Sequence, residues 1–464
     1  MVWRHLGFQR NIFFVEPLTP TEEDMKLFVG RDNEINRFLI DVLSDQRALK
    51  IVSGEIGVGK TTFVNACQFF CYTGNPPSDF KFEISRVLPC FEKIQIRETD
   101  TLDELTIKTI VTICRSIAFH CKMENVSPPK EVQQILNYFM DLAFDSGGSG
   151  YTAGGSIVGT GAQFGRTKES KVPNILRNAR LQLKNLIDLI RNDLGFAGVF
   201  IVVNNLDILT KPKLTEFLND GRDELFDITG IYWTLIGHKG IGSIIETECE
   251  RVADYLSGVE LHIDAFNFNG MKQVIEKRVE EFRIDENRKC PLTFDTIEAF
   301  YYFSVQELRE TFRICSEITK SVLLLDPSLE VIPPDMAMRA FQGYAHNRAK
   351  DMDLSESSIR VLKAVYDRKS CRPKDYEQFG YKTLQGFIAA LKSLVSKKLL
   401  SVEEQGRARK YRMTGMTMIA AITGALGDEI QEVVLDKIKS NGTTEFKFDD
   451  RFQSAQLELF WDED

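Results

Sequence analysis

Three short runs of consecutive apolar residues stand out along a mixed chain. They are Leu49 to Val52, interrupted only by Lys50, then Gly198 to Val203, then Ile231 to Ile236, interrupted only by Thr234. Apolar runs without polar alternation predict strands buried on both faces, as in a parallel sheet. Before and between them apolar positions recur at helical spacing. Ile35, Phe38, Leu39, Val42 and Leu43 form one such pattern, and helices are predicted over Leu102 to His120, Glu131 to Leu142 and Ile175 to Leu194. Phe91 to Ile96 reads as a further strand. Strands alternating with helices predict an α/β fold with a parallel sheet covered on both faces.

From Phe268 to Arg348 the rhythm is helical throughout, broken once at Pro333-Pro334. It changes again between Asp353 and Thr414. A helix over Ser357 to Tyr366 is followed by a short one near Pro373 to Phe379 and a longer one from Thr383 to Leu400. Two strand-like pieces, Ser401 to Glu404 and Arg409 to Met413, then flank Gln405-Gly406-Arg407. Three helices and a β-wing predict a winged helix. Asp145 to Arg166 is saturated with Gly and Ser, which neither hold a helix nor pack a core. It is expected to be a surface insertion; a hairpin touching DNA or a second subunit through Tyr151 and Phe164 is the other reading. The expected division is a core over residues 1–265 with its insertion at 145–166, a helical lid over 266–350, a winged helix over 353–415 and a C-terminal helix with an acidic tail over 416–464.

At 464 residues the chain has room for two or three domains. No apolar run approaches the roughly 20 residues that span a bilayer, and Met1-Val2-Trp3-Arg4-His5 does not begin a secretion signal. A cytoplasmic protein with no membrane partner is expected. The nine cysteines are scattered and odd in number. Cys67 and Cys71 lie one helical turn apart without the pairing that zinc needs, so reduced, buried thiols are expected. A net charge of −9 argues against wholesale coating of nucleic acid. Its distribution is uneven: twelve Lys/Arg against four Asp/Glu between Arg368 and Arg412, and seven Asp/Glu against two Lys/Arg from Glu445 to Asp464.

The most specific chemistry follows the first apolar run. Gly54, Glu55, Ile56, Gly57, Val58, Gly59, Lys60, Thr61 and Thr62 match G-x-x-x-x-G-K-[ST], between a predicted strand and a predicted helix. The glycines let backbone N–H groups curl around phosphate oxygens, with the positive end of the helix dipole behind them. Lys60 is placed to reach the β- and γ-phosphates, and Thr61 to ligate Mg²⁺. ATP and Mg²⁺ are the expected ligands.

With that loop, the helical segment and the winged helix on one chain, residues 20 to 415 resemble an AAA+ ATPase of the origin-recognition or initiator type. The resemblance implies that Phe28-Val29-Gly30-Arg31 borders the adenine. It also implies that a polar sensor falls near Thr234 or His238, that Arg251 is an arginine finger, and that Arg309 in Leu308-Arg309-Glu310-Thr311-Phe312 senses the γ-phosphate. The chain departs from the family where the second apolar strand ends, at Asn204-Asn205-Leu206-Asp207. Asn204 and Asn205 stand in place of an acidic pair. An amide brings no negative charge and accepts no proton at neutral pH. Loss of a general base alone costs roughly 10²–10⁴-fold in rate. ATP binding with weak hydrolysis is therefore expected, with Asp207 the one acid near enough to substitute.

The basic segment makes the winged helix the candidate for double-stranded DNA, with Lys382, Lys392, Lys397 and Lys398 on its long helix and Arg407, Arg409, Lys410 and Arg412 on the wing. In the tail, Gln456, Leu457, Leu459 and Phe460 of Q-L-E-L-F resemble the bacterial sliding-clamp-binding pentapeptide, with Glu458 in place of Ser or Asp. The alternative is a strand packing back on the protein. The sequence as a whole points to an ATP-binding protein that self-associates on DNA. A signalling NTPase switch and an ATP-driven motor are the alternatives.

Overall fold

The computed structural model describes residues 2–44, 46–77, 80–145, 178–237, 240–352, 354–368, 370–405, 408–427, 431, 445–446 and 457–458. The Gly-rich stretch from 146 onward, His238, Arg407, Gln456, Leu459 and Phe460 lie outside them. The chain forms two compact units, one of Pro17–Asp264 and one of Met1–Glu16 with Ala265–Asp464.

The first unit is built on a six-stranded parallel sheet. Helix α1 (Asp32–Leu43) leads into β1 (Ala48–Ser53), and α2 (Lys60–Thr73) follows the glycine loop. Then come β2 (Leu88–Pro89), β3 (Ile94–Gln95), α3 (Leu102–Met123), α4 (Lys130–Asp145), α5 (Ala179–Asn192), β4 (Val199–Asn204) and α6 (Lys211–Gly221). The unit closes with β5 (Ile231–Gly237), α7 (Ile241–Glu248), the short α8 (Glu250–Ala253) and β6 (Leu261–His262). The single strand predicted over Phe91 to Ile96 is two pieces, β2 and β3, each pairing with β4. Two more residues separate their paired positions than separate the corresponding positions of β4, so the edge bulges between them.

Spatial order is β2/β3, β4, β5, β1, β6. Every position of β1 and β5 is buried, as a sheet covered on both faces demands. α3 and α5 join the core on one face with Leu183, Leu186, Ile187, Ile113 and Ile117. α1 and α2 cover the other with Phe38, Phe63, Val64 and Cys67. α3 begins with a capping box, Thr101 and Glu104 each bonding the other's backbone.

Lys50 is the exception in this apolar sheet. It is fully buried in β1, ion-paired to Asp41 of α1, and donates to the carbonyls of Ser257 at 3.0 Å and Val259 at 2.9 Å. Three acceptors satisfy its three N–H donors.

The second unit is mainly helical. It contains α9 (Phe268–Phe282), α10 (Phe294–Phe303), α11 (Leu308–Leu325), α12 (Pro334–Lys350) and α13 (Glu356–Asp367), then a 3-10 turn over Pro373–Phe379. α14 (Leu384–Ser396), an antiparallel hairpin of β7 (Leu400–Gln405) and β8 (Ala408–Met413), and α15 (Gly415–Ile422) complete it. Residues Met1–Glu16, expected in the nucleotide core, cluster here instead. Their aromatic side chains provide the reason. Arg278 of α9 donates to the carbonyls of Ile12 and Phe14 at 3.2 and 2.9 Å, and its guanidinium stacks 3.9 Å from the Phe14 ring and 4.4 Å from that of Phe312. In the tail, β9 (Glu445–Phe446) pairs with β10 (Leu457–Glu458). All nine cysteines are free, and eight are buried. Among the described residues no helix is long and apolar enough to cross a membrane, and no cluster of side chains has the makings of a metal site.

Removing one partner of a buried ion pair strands the other charge. Asp41→Ala is expected to cost about 3 kcal/mol, read as a lowered urea midpoint. Lys50→Met with Asp41→Leu recovers most of it. An Asp41→Ala protein as stable as the parent refutes the role assigned to this pair.

Candidate nucleotide-binding site

The site begins where β1 ends. Ser53 is held from below and beside: its carbonyl accepts from Ile263 N–H at 2.8 Å, and its hydroxyl lies 3.1 Å from His262 Nδ1. The chain then turns sharply at Gly54, whose φ is +150°. A Cβ there would stand 2.4 Å from the Ile263 carbonyl oxygen, so only glycine fits. Gly59 has φ +98° and caps the start of α2. Nothing lies within 4 Å of the place its Cβ would occupy, so the start of α2 is open at this point. That is what an incoming phosphate needs. Val58 is buried and anchors the loop in the core, while Glu55 and Ile56 are exposed on its rim.

Lys60 folds back over the loop. Its ammonium donates to the carbonyls of Gly54 at 2.7 Å and Glu55 at 2.8 Å. Loop carbonyls are partners that a phosphate, with full negative charge, readily replaces. Thr61 is half-buried beside Lys60 in the first turn of α2. Thr62 faces the preceding segment instead. Its hydroxyl accepts from Leu18 N–H at 3.3 Å, and Asn65 donates to the Leu18 carbonyl. These bonds pin the segment before α1 to the start of α2. Arg31, in the left-handed region at φ +70°, ties the same segment down through Glu34 at 3.2 Å and the Asp264 carbonyl.

Asn204 is the last residue of β4, and Asn205 turns out of it in the left-handed conformation that asparagine tolerates, at φ +66°. Both meet Gln95 of β3. Gln95 Oε1 accepts from Asn205 Nδ2 at 2.8 Å and more loosely from Asn204 Nδ2 at 3.4 Å. The strand tip thus carries three amides. Asp207 lies in the 3-10 turn Leu206–Ile208. The glycine cradle, Lys60 and the helix N-terminus fit a nucleotide's phosphates. For Mg²⁺ the fit is thinner: the Thr61 hydroxyl and amide carbonyls of Asn204 and Asn205 are neutral oxygen ligands, with no carboxylate at the end of β4. Sequence reasoning missed Gln95, although the alternation Lys93-Ile94-Gln95-Ile96 marks a strand with one polar face.

Other expected positions separate. The β1–β5 register sets Thr234 beside Lys50 and Gly237 beside Ser53. Thr234 is therefore about 10 Å below the strand tips, fully buried, and is not a sensor of nucleotide. Arg251 is exposed in α8. The chain just after it joins the N-terminal half of β1, with Tyr255 O accepting from Leu49 N–H at 3.2 Å. That is the end of the strand opposite the phosphate loop, so the chain after Arg251 runs to the end of the sheet away from the nucleotide site. Arg309 is exposed in the first turn of α11, in the other unit.

Of the basic residues, Lys382, Lys392 and Arg409 are exposed, while Lys397, Lys410 and Arg412 are half-buried. Strand pairing sets Lys410 opposite Glu403 and Arg409 opposite Glu404. Lys398, expected on the DNA-facing helix, is engaged within the protein. It closes the turn after α14 at φ +60° and is ion-paired to Glu307 at 2.7 Å and Glu310 at 3.3 Å.

Sheet order, glycine cradle and lysine define a P-loop nucleotide-binding α/β core joined to a helical unit. No family model matches the sequence, and no curated protein matches it. Among solved structures the chain is similar to the Aeropyrum pernix ORC2 protein in ADPNP–ADP complexes, at 12% identity and a TM-score of 0.46 over 94% of this chain and 99% of that one. It is similar also to the ORC1 protein of that organism in complex with DNA, at 13% identity and 0.44 over the same shares. A Thermotoga maritima RuvB variant matches 50% of this chain and 72% of its own, at 13% identity and 0.29.

Gly54→Ala drives a methyl group into the Ile263 carbonyl and is expected to destabilise the first unit by about 2 kcal/mol while abolishing nucleotide binding. Lys60→Ala loses binding with the melting temperature unchanged. Melting curves and ATP titrations of both variants check the distinction.

Proposed function

We propose that this chain is an ATP-binding AAA+ protein of the initiator type, which holds nucleotide with little hydrolysis and binds duplex DNA through a C-terminal winged helix. The observation that carries the nucleotide reading is the Gly54–Gly59 cradle with Lys60 lying across it. The amides at the tip of β4 support slow turnover. They can orient water but supply neither the charge nor the proton acceptor that fast hydrolysis uses. The module after α12 supports the DNA reading, with α14 as the helix for the groove and the hairpin as the wing against phosphates. Arg251, exposed in α8, would serve the site of a second copy in a nucleotide-dependent self-association. A bacterial sliding clamp is a further proposed partner, through the tail sequence at Gln456 to Phe460.

A second reading has one observation in its favour. The pairing of Lys398 with Glu307 and Glu310, which lie outside the basic segment, leaves less free positive charge than the sequence count implies. A protein ligand for the winged helix would then make the chain a nucleotide-controlled switch.

Steady-state ATPase measurement with and without DNA tests the slow-turnover claim. The parent is expected to be slow, and Asn204→Asp with Asn205→Glu to raise the rate roughly 10²-fold or more. A fast parent enzyme defeats it. Salt titration of duplex binding tests the DNA claim. Lys382→Ala and Lys392→Ala are each expected to weaken binding and flatten its salt dependence by about one ion. No binding at low salt leaves the switch as the better reading.

A further inference from the structure

Lys93 stands immediately before β3, and among the described residues it makes no hydrogen bond or ion pair. An amine largely withdrawn from water without a counter-charge is costly. Burial alone pulls its pKa down to about 8.

Strand register fixes its place. Ile94 is level with Val203 and Gln95 with Asn204, so Lys93 is level with Val202. Ile94 and Ile96 enter the core on the α3 and α5 side together with Val203. By alternation Lys93 takes the opposite face, which Val202 and Phe200 share with α2. Along this edge α2 presents Tyr72, Gln68, Asn65 and Thr61 in rising order. The Tyr72 ring packs 5.8 Å from that of Phe91, and Gln68 donates to the Cys90 carbonyl at 3.0 Å. Asn65 and Thr61 follow about 4.5 and about 10 Å nearer the phosphate loop. Cys90 is level with Ile201, one residue or about 3.3 Å below Lys93. The Lys93 backbone is therefore level with Asn65, and its four-carbon stem spans the turn that remains to Thr61. Asn65 Oδ1 and Gln68 Oε1 are buried without partners, so the α2 side of this seam is polar and unsaturated.

We propose that Lys93 is a second cation of the nucleotide site, reaching the terminal phosphates from the β3 edge while Lys60 reaches them from the loop. This rests on the nucleotide reading given above. Carboxylates at the end of β4 would pair with such an amine; amides leave its charge for the phosphates. The chain then holds nucleotide with less reliance on a divalent cation than a carboxylate-tipped site.

Titration of the full-length protein with a fluorescent ATP analogue, in Mg²⁺ and in EDTA, tests this. The parent binds in both. Lys93→Met loses roughly tenfold or more in EDTA, the worth of a charge-assisted hydrogen bond, and less in Mg²⁺. Lys93→Arg keeps the charge and retains affinity. If Lys93→Met does not fold by circular dichroism, Lys93→Gln, which keeps a donor in the seam, takes its place with the same expected loss. Binding by the neutral variant as tight as the parent's in EDTA overturns the proposal. Failure of the parent to bind in either condition, indistinguishable from Lys60→Ala, overturns instead the nucleotide reading on which it rests.

Discussion

The contact on which the nucleotide site depends is backbone against backbone: the carbonyl of Ile263 against Gly54, with 2.4 Å where a Cβ would be. β6 is brought there by pairing with β1, Leu261 beside Val52 and His262 beside Ser53. Once that carbonyl closes one side of the turn, the chain can leave β1 only by a conformation open to glycine. It then curls through Gly57 and Gly59 into α2. The dipole of α2, the N–H groups of the loop and the ammonium of Lys60 converge because the turn has this one solution. Lys50 supports the same geometry from beneath, since its bonds to the Ser257 and Val259 carbonyls fix the approach to β6 against β1.

At the end of β4 the site offers dipoles and no charge. A carboxylate at the end of β4 would hold a hydrated cation by Coulomb attraction and take up a proton. Asn204, Asn205 and Gln95 form a neutral hydrogen-bonded group that does neither. What remains of the site's chemistry is anion binding: glycine amides, a helix terminus and lysine. That chemistry is the basis of the slow turnover proposed above.

Much of this was legible in the sequence because the features are local. The phosphate loop is nine consecutive residues whose conformational demands are written in its glycines. The buried strands announce themselves by unbroken apolar runs, and the helix-and-hairpin segment by its change of rhythm. What escaped depends on partners distant in sequence. Lys398 reads as one more basic residue of a DNA-binding helix until Glu307 and Glu310, 91 and 88 residues earlier, are brought beside it. Thr234 looks like a polar sensor in an apolar strand, and only the register with β1 places it well below the tips. Met1–Glu16 carries no pattern that separates it from the core beside it in sequence; the aromatic and carbonyl contacts of Arg278 decide where it goes.

The Lys398 contact also explains how the helical unit holds together. Glu310 is buried, and that burial pushes its carboxyl up. Arg348, Lys398 and Arg313 more than offset this and hold it below the ordinary carboxylate range. The three cations come from α12, the turn after α14 and α11 itself. A single carboxylate thus ties the middle of the helical unit to the end of the helix proposed to read DNA. Leaving the buried Glu310 carboxylate short of a partner is costly, so this contact ties α11 to the base of the hairpin. Arg309 is next to Glu310 on α11. The residue that the resemblance implies as a phosphate sensor therefore borders the carboxylate through which α11 holds the base of the hairpin.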